Sequence, residues 1–242
     1  MPTKNNAKNP AAPAQPNQSL GAGIDCLLAL ASAREPMGSR PLARKLGLEA
    51  TKVNRLLGTL ASIGLAVKTE DRRYVPGPGL HVLAAMSLRG SRLFSAAAPV
   101  LEELRASTGM LVALGVLWRR EVCYLFHAPP GTPLEATVAA RDLFPAERSA
   151  IGLALFAAEE KVNYRKYYAK ESLPEIESAV RQARARGYAL APDNVSMAVA
   201  VGNPAVAALA LADPAGKALG ISRQKSLLKK LQRASGQIVE DM

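Results

Sequence analysis

Between residues 42 and 65 the chain reads LARKLGLEATKVNRLLGTLASIGL, an apolar helical rhythm that breaks once, at Gly47, and then resumes. One straight helix does not fit that break. A glycine there ends a short helix by taking the left-handed conformation, and another helix begins at about Ala50. In this later segment Val53, Leu56, Leu57 and Leu60 stand at i, i+3, i+4 and i+7, so one stripe is committed to a core. Thr51, Lys52, Asn54 and Arg55 are left on the outer face. The stretch must therefore fold as two short helices joined by an abrupt turn, the second with a polar, basic exterior.

The flanking residues extend the pattern. Leu20, Ile24, Leu27, Leu28 and Ala31 mark one face of a helix that starts at Ser19 and stops where REPMG interrupts it. Ser39 is expected to cap a second helix over 40–46, and the third runs from Ala50 to Ile63, closed by Gly64. LAVKTEDRRYVPG then predicts strands at 66–69 and 73–75 around a charged turn at 70–72. Three helices and a hairpin in this order make a winged helix-turn-helix module over 19–78.

A third helix held in this way can enter a major groove, with its first residues at base edges and the preceding helix across the backbone. Arg55 and Lys52 suit guanine or phosphate, Asn54 suits adenine, and Thr51 reaches a phosphate or a thymine methyl. Arg40 and Arg44 on the second helix would meet the backbone, and Arg72 and Arg73 at the hairpin tip the flanking phosphates or the minor groove. Charge points the same way. The chain carries +11, of which residues 1–90 contribute +7 from 12 basic and 5 acidic side chains. Such asymmetry fits a polyanionic partner, double-stranded DNA. A solvated basic surface kept for solubility is the competing reading of the charge, and chance amphipathic helices that of the motif.

Residues 1–18 are rich in Pro, Asn, Ala and Gln and are expected to form a disordered tail. Residues 79–91 read as a linker helix. Beyond Gly109, MLVALGVLW and EVCYLFHA predict a hairpin and PLEATVA a third strand. Helical patterns follow over 147–158, 161–169 and 173–186, then strands in GYALA, SMAVAVGN and AVAALALAD, and a last helix from Ser222. Strands before and after a helical middle argue for an α+β domain over 92–242, built on an antiparallel sheet.

Other chemistries find little support. The apolar runs are interrupted well short of the roughly 20 residues that cross a bilayer, and the N-terminus lacks a secretory signal, so a soluble, cytoplasmic protein without a membrane partner is expected. Cys26 and Cys123 read as buried thiols. His81 and His127 lack companions for a metal site, and Ser222-Arg-Gln-Lys225 spells S-x-x-K without the companion motifs of penicillin-recognising enzymes. A regulator rather than an enzyme is expected, with no cofactor and no metal. The alternatives are a small-molecule sensor whose winged helix mediates protein contacts and, more remotely, a hydrolase.

The segment LARKLGLEATKVNRLLGTLASIGLAVKTEDRRYVPGPGL resembles the DNA-binding part of the IclR family of bacterial transcription regulators, with Gly64-Leu65, Tyr74, Gly77-Pro78 and the following helix at the matching places. PAERSAIGLALFA and RGYALAPDN resemble two motifs of that family's C-terminal part, so the likeness spans about residues 19–240. It implies a GAF-like effector domain, a small organic acid effector with an aromatic acid among the candidates, and a homodimer or tetramer joined through the DNA-binding and linker segments. Arg148 beside Ser149 would meet the effector's carboxylate, with Arg141 as the alternative; Asp193, Asn194 and Ser196 lie in the second matched segment, and Trp118, Tyr124 and Phe144 would supply apolar walls. The opposing reading places Arg148 in solvent, paired with Glu147. The segment 194–204 departs from the family by being short and by lacking its Gly and Ala-x-Pro pattern.

Overall fold

The computed structural model describes residues 16–138, 143–158 and 164–242, and the chain divides after Leu88 into two compact units. In the first unit α1 (Gln18–Ala31) is capped by the Asn17 side chain, which accepts from the Leu20 N–H at 3.0 Å. Next come α2 (Ser39–Leu46) and α3 (Ala50–Ser62). Ser39 turns out to be the first helical residue. Gly38, extended at φ −80° and ψ 159°, takes the cap position and offers no side-chain oxygen. Gly47 holds φ 65°, a conformation costly for any residue with a Cβ, so the abrupt turn rests on that glycine. Leu30, Leu42, Val53 and Leu57 are wholly buried where the three helices meet.

Strands β1 (Ala66–Lys68) and β2 (Tyr74–Pro76) form the wing. Met37 adds a single bridge to Tyr74, with both N–H···O distances at 2.9 Å, and this ties the α1–α2 connection to the wing. The wing then returns to the exit of α3, where the Gly77 N–H donates to the Leu65 carbonyl and the Gly79 N–H to the Gly64 carbonyl, each at 2.9 Å. A Cβ on Gly77 would stand 2.4 Å from the Gly64 oxygen, so this junction requires glycine. It launches α4 (Pro78–Gly90), a helix with no buried residue.

The second unit opens with α5 (Arg92–Thr108), capped by Ser91. Its sheet contains β3 (Leu111–Trp118), β4 (Glu121–Ala128), β5 (Phe144–Pro145), β6 (Ala189–Leu190), β7 (Ser196–Val201) and β8 (Ala207–Ala212), in the order β5-β4-β3-β8-β7-β6 with antiparallel pairing throughout. The expected strand over PLEATVA is corrected. Pro133 starts a 3-10 turn over Leu134–Thr137, and among the described residues of this segment only Val138 bridges, to Phe126. The edge beside β4 is taken by Phe144–Pro145 instead. In the expected helix over 161–169 the described part is a 3-10 turn, Tyr164–Tyr167.

Strand alternation gives the sheet two unlike faces. Val112, Leu114, Val199, Leu209 and Leu211 face α5 and α8 (Ile221–Asp241), a helix capped by Gly220. The opposite face presents Ala113, Ala198, Ala208 and Ala210 to α6 (Ala150–Ala158) and α7 (Leu173–Arg186). These small side chains let α6, buried almost all round, lie close to the strands. A Cβ on Gly115 would already be 3.2 Å from Ile151 Cγ2. Among the described residues no helix is long and apolar enough to cross a membrane.

Asp213 fastens the loop from β8 to α8. It is buried and accepts from the Ala215 N–H at 2.9 Å, the Lys217 N–H at 3.4 Å and the Arg223 guanidinium at 2.7 Å. The backbone N–H of Ala215 leads the groups that hold its carboxyl below the ordinary carboxylate range, with Lys217 and Arg223 adding to the effect. Because the folded value is the depressed one, this stabilisation is present above the unfolded carboxylate's value and is lost as pH falls through the folded value. Asp213→Asn is expected to lower the melting temperature at pH 7, with the gap from wild type closing as the pH drops below the carboxylate range; melting curves across that range check it.

Candidate nucleic-acid interface and ligand cleft

On α3 the leucine stripe fixes which side faces out. Thr51, Asn54 and Arg55 are exposed, as are Arg40 and Arg44 on α2. Lys52 is half-buried. At about 100° per residue it lies a quarter-turn round from the centre of the outer face, toward the groove of about 690 Å³ between α1 and α3 that Thr51 and Arg55 also line. The centre of that face belongs to Thr51, Arg55 and, one turn further, Gly58. A Cβ on Gly58 would have no neighbour within 4 Å, so internal packing gives no reason for a helix-interior glycine that costs about 1 kcal/mol relative to alanine. Sequence reasoning passed over Gly58, although its seat between Leu57 and Thr59 put it on the outer side.

The wing tip separates its two arginines. Asp71 accepts from the Thr69 hydroxyl at 2.5 Å and pairs with Arg73 at 2.9 Å; these contacts, led by the Thr69 hydrogen bond, hold the Asp71 carboxyl below its usual range. Arg73 thus spends part of its charge within the turn. Arg72 stands exposed at the apex with φ 61°.

In the second unit the expected effector residues fall into three places. Arg148 and Asn194 line a cleft of about 640 Å³ between α7 and the β6 end of the sheet. Tyr124 and Ser149 lie deeper, their hydroxyls 3.2 Å apart and both side chains buried. Trp118 is 40% exposed at the end of β3, with the Arg119 guanidinium 5.6 Å over its ring. Phe144 is half-buried on the edge strand opposite Val122, and Ser196 is half-buried at the start of β7. Asp193 is exposed and caps its own turn by accepting from the Val195 N–H at 3.1 Å. Arg141 lies outside the described residues. These groups therefore do not converge on one site.

Arg148 is exposed, and Glu147 turns away from it to accept the Tyr168 hydroxyl at 2.7 Å. Burial first, and then the hydrogen bond to the Glu147 carboxylate, push the Tyr168 phenol well above its ordinary range. Glu147, Tyr168, Arg186 and Tyr188 share the cleft with Arg148 and Asn194. Sequence reasoning missed these four as site residues. Glu147 and Tyr168 are brought together across a 21-residue separation for which no local pattern speaks.

Two family models match the chain: the IclR helix-turn-helix domain over residues 19–70 and the bacterial transcriptional regulator IclR C-terminal domain over residues 85–239. No curated protein sequence matches it. Among solved structures, an IclR family transcriptional regulator from Brucella abortus superposes with a TM-score of 0.79 at 20% identity, covering 96% of this chain and 97% of that one. An IclR transcriptional regulator from Alicyclobacillus acidocaldarius gives 0.70 at 23% identity, over 94% and 99%. An IclR homologue from Microbacterium hydrocarbonoxydans, solved in complex with 4-hydroxybenzoate, gives 0.63 at 22% identity, over 92% and 98%. At such identities these likenesses speak for the fold.

Proposed function

The chain belongs to the IclR family of bacterial transcriptional regulators, DNA-binding proteins rather than enzymes, and on that premise we propose that α3 is its base-reading helix and the cleft beside α7 its effector site. The observation that carries the first part is the outer face of α3, where Thr51, Asn54 and Arg55 stand exposed while Val53 and Leu57 are sealed in the core. Arg55 has the fork that meets guanine O6 and N7, and Asn54 the amide that meets adenine. Gly58 lets the helix backbone come close to the duplex. Arg40, Arg44 and Arg72 take phosphates, Lys52 reaches its phosphate from the flank, and Arg73 contributes less because Asp71 shares it.

The effector is a small organic acid. The 4-hydroxybenzoate held by the Microbacterium homologue supports an aromatic acid among the candidates, and the exposed Arg148 at the cleft supplies a partner for a carboxylate. A six-stranded antiparallel sheet with helices on both faces supports a GAF-like description of this domain. The working unit is a homodimer. Val82, Leu83 and Met86 on α4 are more than half exposed, and a second copy covering this face would remove apolar surface from water.

Binding to operator duplex at rising salt tests the reading. Specific affinity is expected to fall steeply with salt; Arg72→Ala should weaken binding alike on all sequences and reduce the slope of log K against log salt by about 1. Arg73→Ala should do less. Binding to duplex that is indifferent to salt would refute the phosphate contacts.

A further inference from the structure

The helices of the first unit pack together in its core but leave a groove between α1 and α3 unfilled. Along α3, Lys52, Leu56 and Ile63 fall at i, i+4 and i+11 and form one stripe on its wall, and Leu20 and Ile24 line it from α1. Leu20 and Ile63 are 64% and 61% exposed, large apolar side chains kept in water. Gly23 lies on the α1 side, and a Cβ there would meet only Leu56 Cδ2, at 4.0 Å, so the missing side chain leaves the groove open. At about 690 Å³ the space falls within the roughly 300–1,000 Å³ of small-molecule sites. Its polarity is uneven along its length. Cations gather at the first turn of α3, where Arg55 joins Lys52 at i+3, with Cβ atoms about 5–6 Å apart, and Glu49 stands beside them. Ile63 lies about 12 Å further along the helix axis from Arg55. A second copy seated here would cover Thr51 and Arg55, which line the same groove and belong to the face given to the duplex. A small ligand that enters and leaves suits the place better.

We propose that this groove binds a free fatty acid of medium chain length, its carboxylate between Lys52 and Arg55 and its acyl chain running over Leu56 toward Ile63. At about 1.2 Å per extended bond, roughly ten carbons span the distance from Arg55 to Ile63. Apolar burial sets the affinity, about three- to fourfold for each methylene added within the groove, and the two cations select an acid over a neutral amphiphile of equal length. Resting on the reading of α3 as the base-reading helix, occupation of the groove and duplex binding exclude one another, because one carboxylate claims both side chains that would otherwise meet guanine or phosphate. The site is separate from the cleft beside α7 and acts on the DNA-binding unit itself.

Calorimetric titration of the full-length protein, without DNA, with hexanoate, octanoate, decanoate and 1-octanol tests this. Affinity should rise about tenfold for every two carbons from hexanoate to decanoate, and 1-octanol should bind at least about tenfold more weakly than octanoate. Gly23→Leu, which fills the groove from the α1 side, should abolish decanoate binding while operator binding persists. Ile63→Gln, at an exposed position that should not disturb folding, should weaken decanoate by about tenfold and serves if Gly23→Leu does not fold. Decanoate should displace operator duplex from wild type and not from Gly23→Leu. Absence of binding, or affinity indifferent to chain length, overturns the proposal. Decanoate binding that survives both variants overturns it too, by placing the acid elsewhere, as does dissociation of the homodimer by Ile63→Gln in sedimentation, which would mean that a second copy covers the groove. Decanoate that binds as described but leaves operator affinity unchanged overturns the exclusion; if Arg55→Ala also leaves operator affinity unchanged, the reading of α3 falls instead and the fatty-acid site stands.

Discussion

Gly152→Ala is expected to destabilise the second unit by about 3 kcal/mol or more and to leave the first unit folded. The residue lies in the first turn of α6, where a Cβ would stand 2.2 Å from the Ala146 oxygen and 2.5 Å from its Cα. Both are backbone atoms of the 3-10 turn Ala146–Arg148, which leads into the helix, so no rotamer change relieves the contact. The helix cannot retreat either, because Ile151, Leu153, Leu155 and Phe156 fill the space around it. For a domain of this size such a loss corresponds to a fall of roughly 6–12 °C in melting temperature. The same turn carries Glu147 and Arg148, so acid binding should fail along with stability. Calorimetry that resolves the two units checks the result; an unchanged transition of the second unit would mean that α6 is not seated as described.

The other large effect concerns the first unit. Replacing Lys52, Asn54 and Arg55 together by alanine should reduce affinity for the operator about a thousandfold or more, toward the level of non-specific duplex. Little stability should be lost, since Asn54 and Arg55 are exposed and alanine is the stronger helix former. That separation is the informative part. Leu57→Ala, which hollows the core behind the same helix, should instead cost about 2–5 kcal/mol and abolish binding through unfolding. Titration of operator and of scrambled duplex, alongside melting curves for each variant, distinguishes loss of reading from loss of fold.

How much of this was legible in the sequence follows from how local each cause is. The α2–α3 turn was legible because Gly47 and the Val53–Leu60 stripe are decided within a few residues, and the wing because Glu70 to Arg72 interrupts two short β-prone runs. Lys52 was harder to place, for it belongs to the outer surface by polarity and to the flank by its angle on the helix. The pairing of Arg73 with Asp71 was hidden by the choice of partners that a charged turn offers. In the second unit the alternating alanines of SMAVAV and AALALA announced strands, but which face would meet α6 depends on the register between β3, β7 and β8. The bond from Glu147 to Tyr168 joins a turn before α6 to the segment leading into α7, and only the packing of that layer creates it. Residues expected to share one pocket, Trp118 and Tyr124 among them, were parted because one ends a hairpin at the surface while the other points beneath α6.

If α3 is the base-reading helix, Arg55 reads a base from its outer face. Selection of binding sites from a pool of random duplexes, performed in parallel with wild type and with Arg55→Ala, tests it most directly. Wild type should yield a two-fold symmetric consensus, and Arg55→Ala the same consensus with preference relaxed at one position in each half, worth about 1–3 kcal/mol of discrimination. Identical consensus sequences from the two proteins would contradict it.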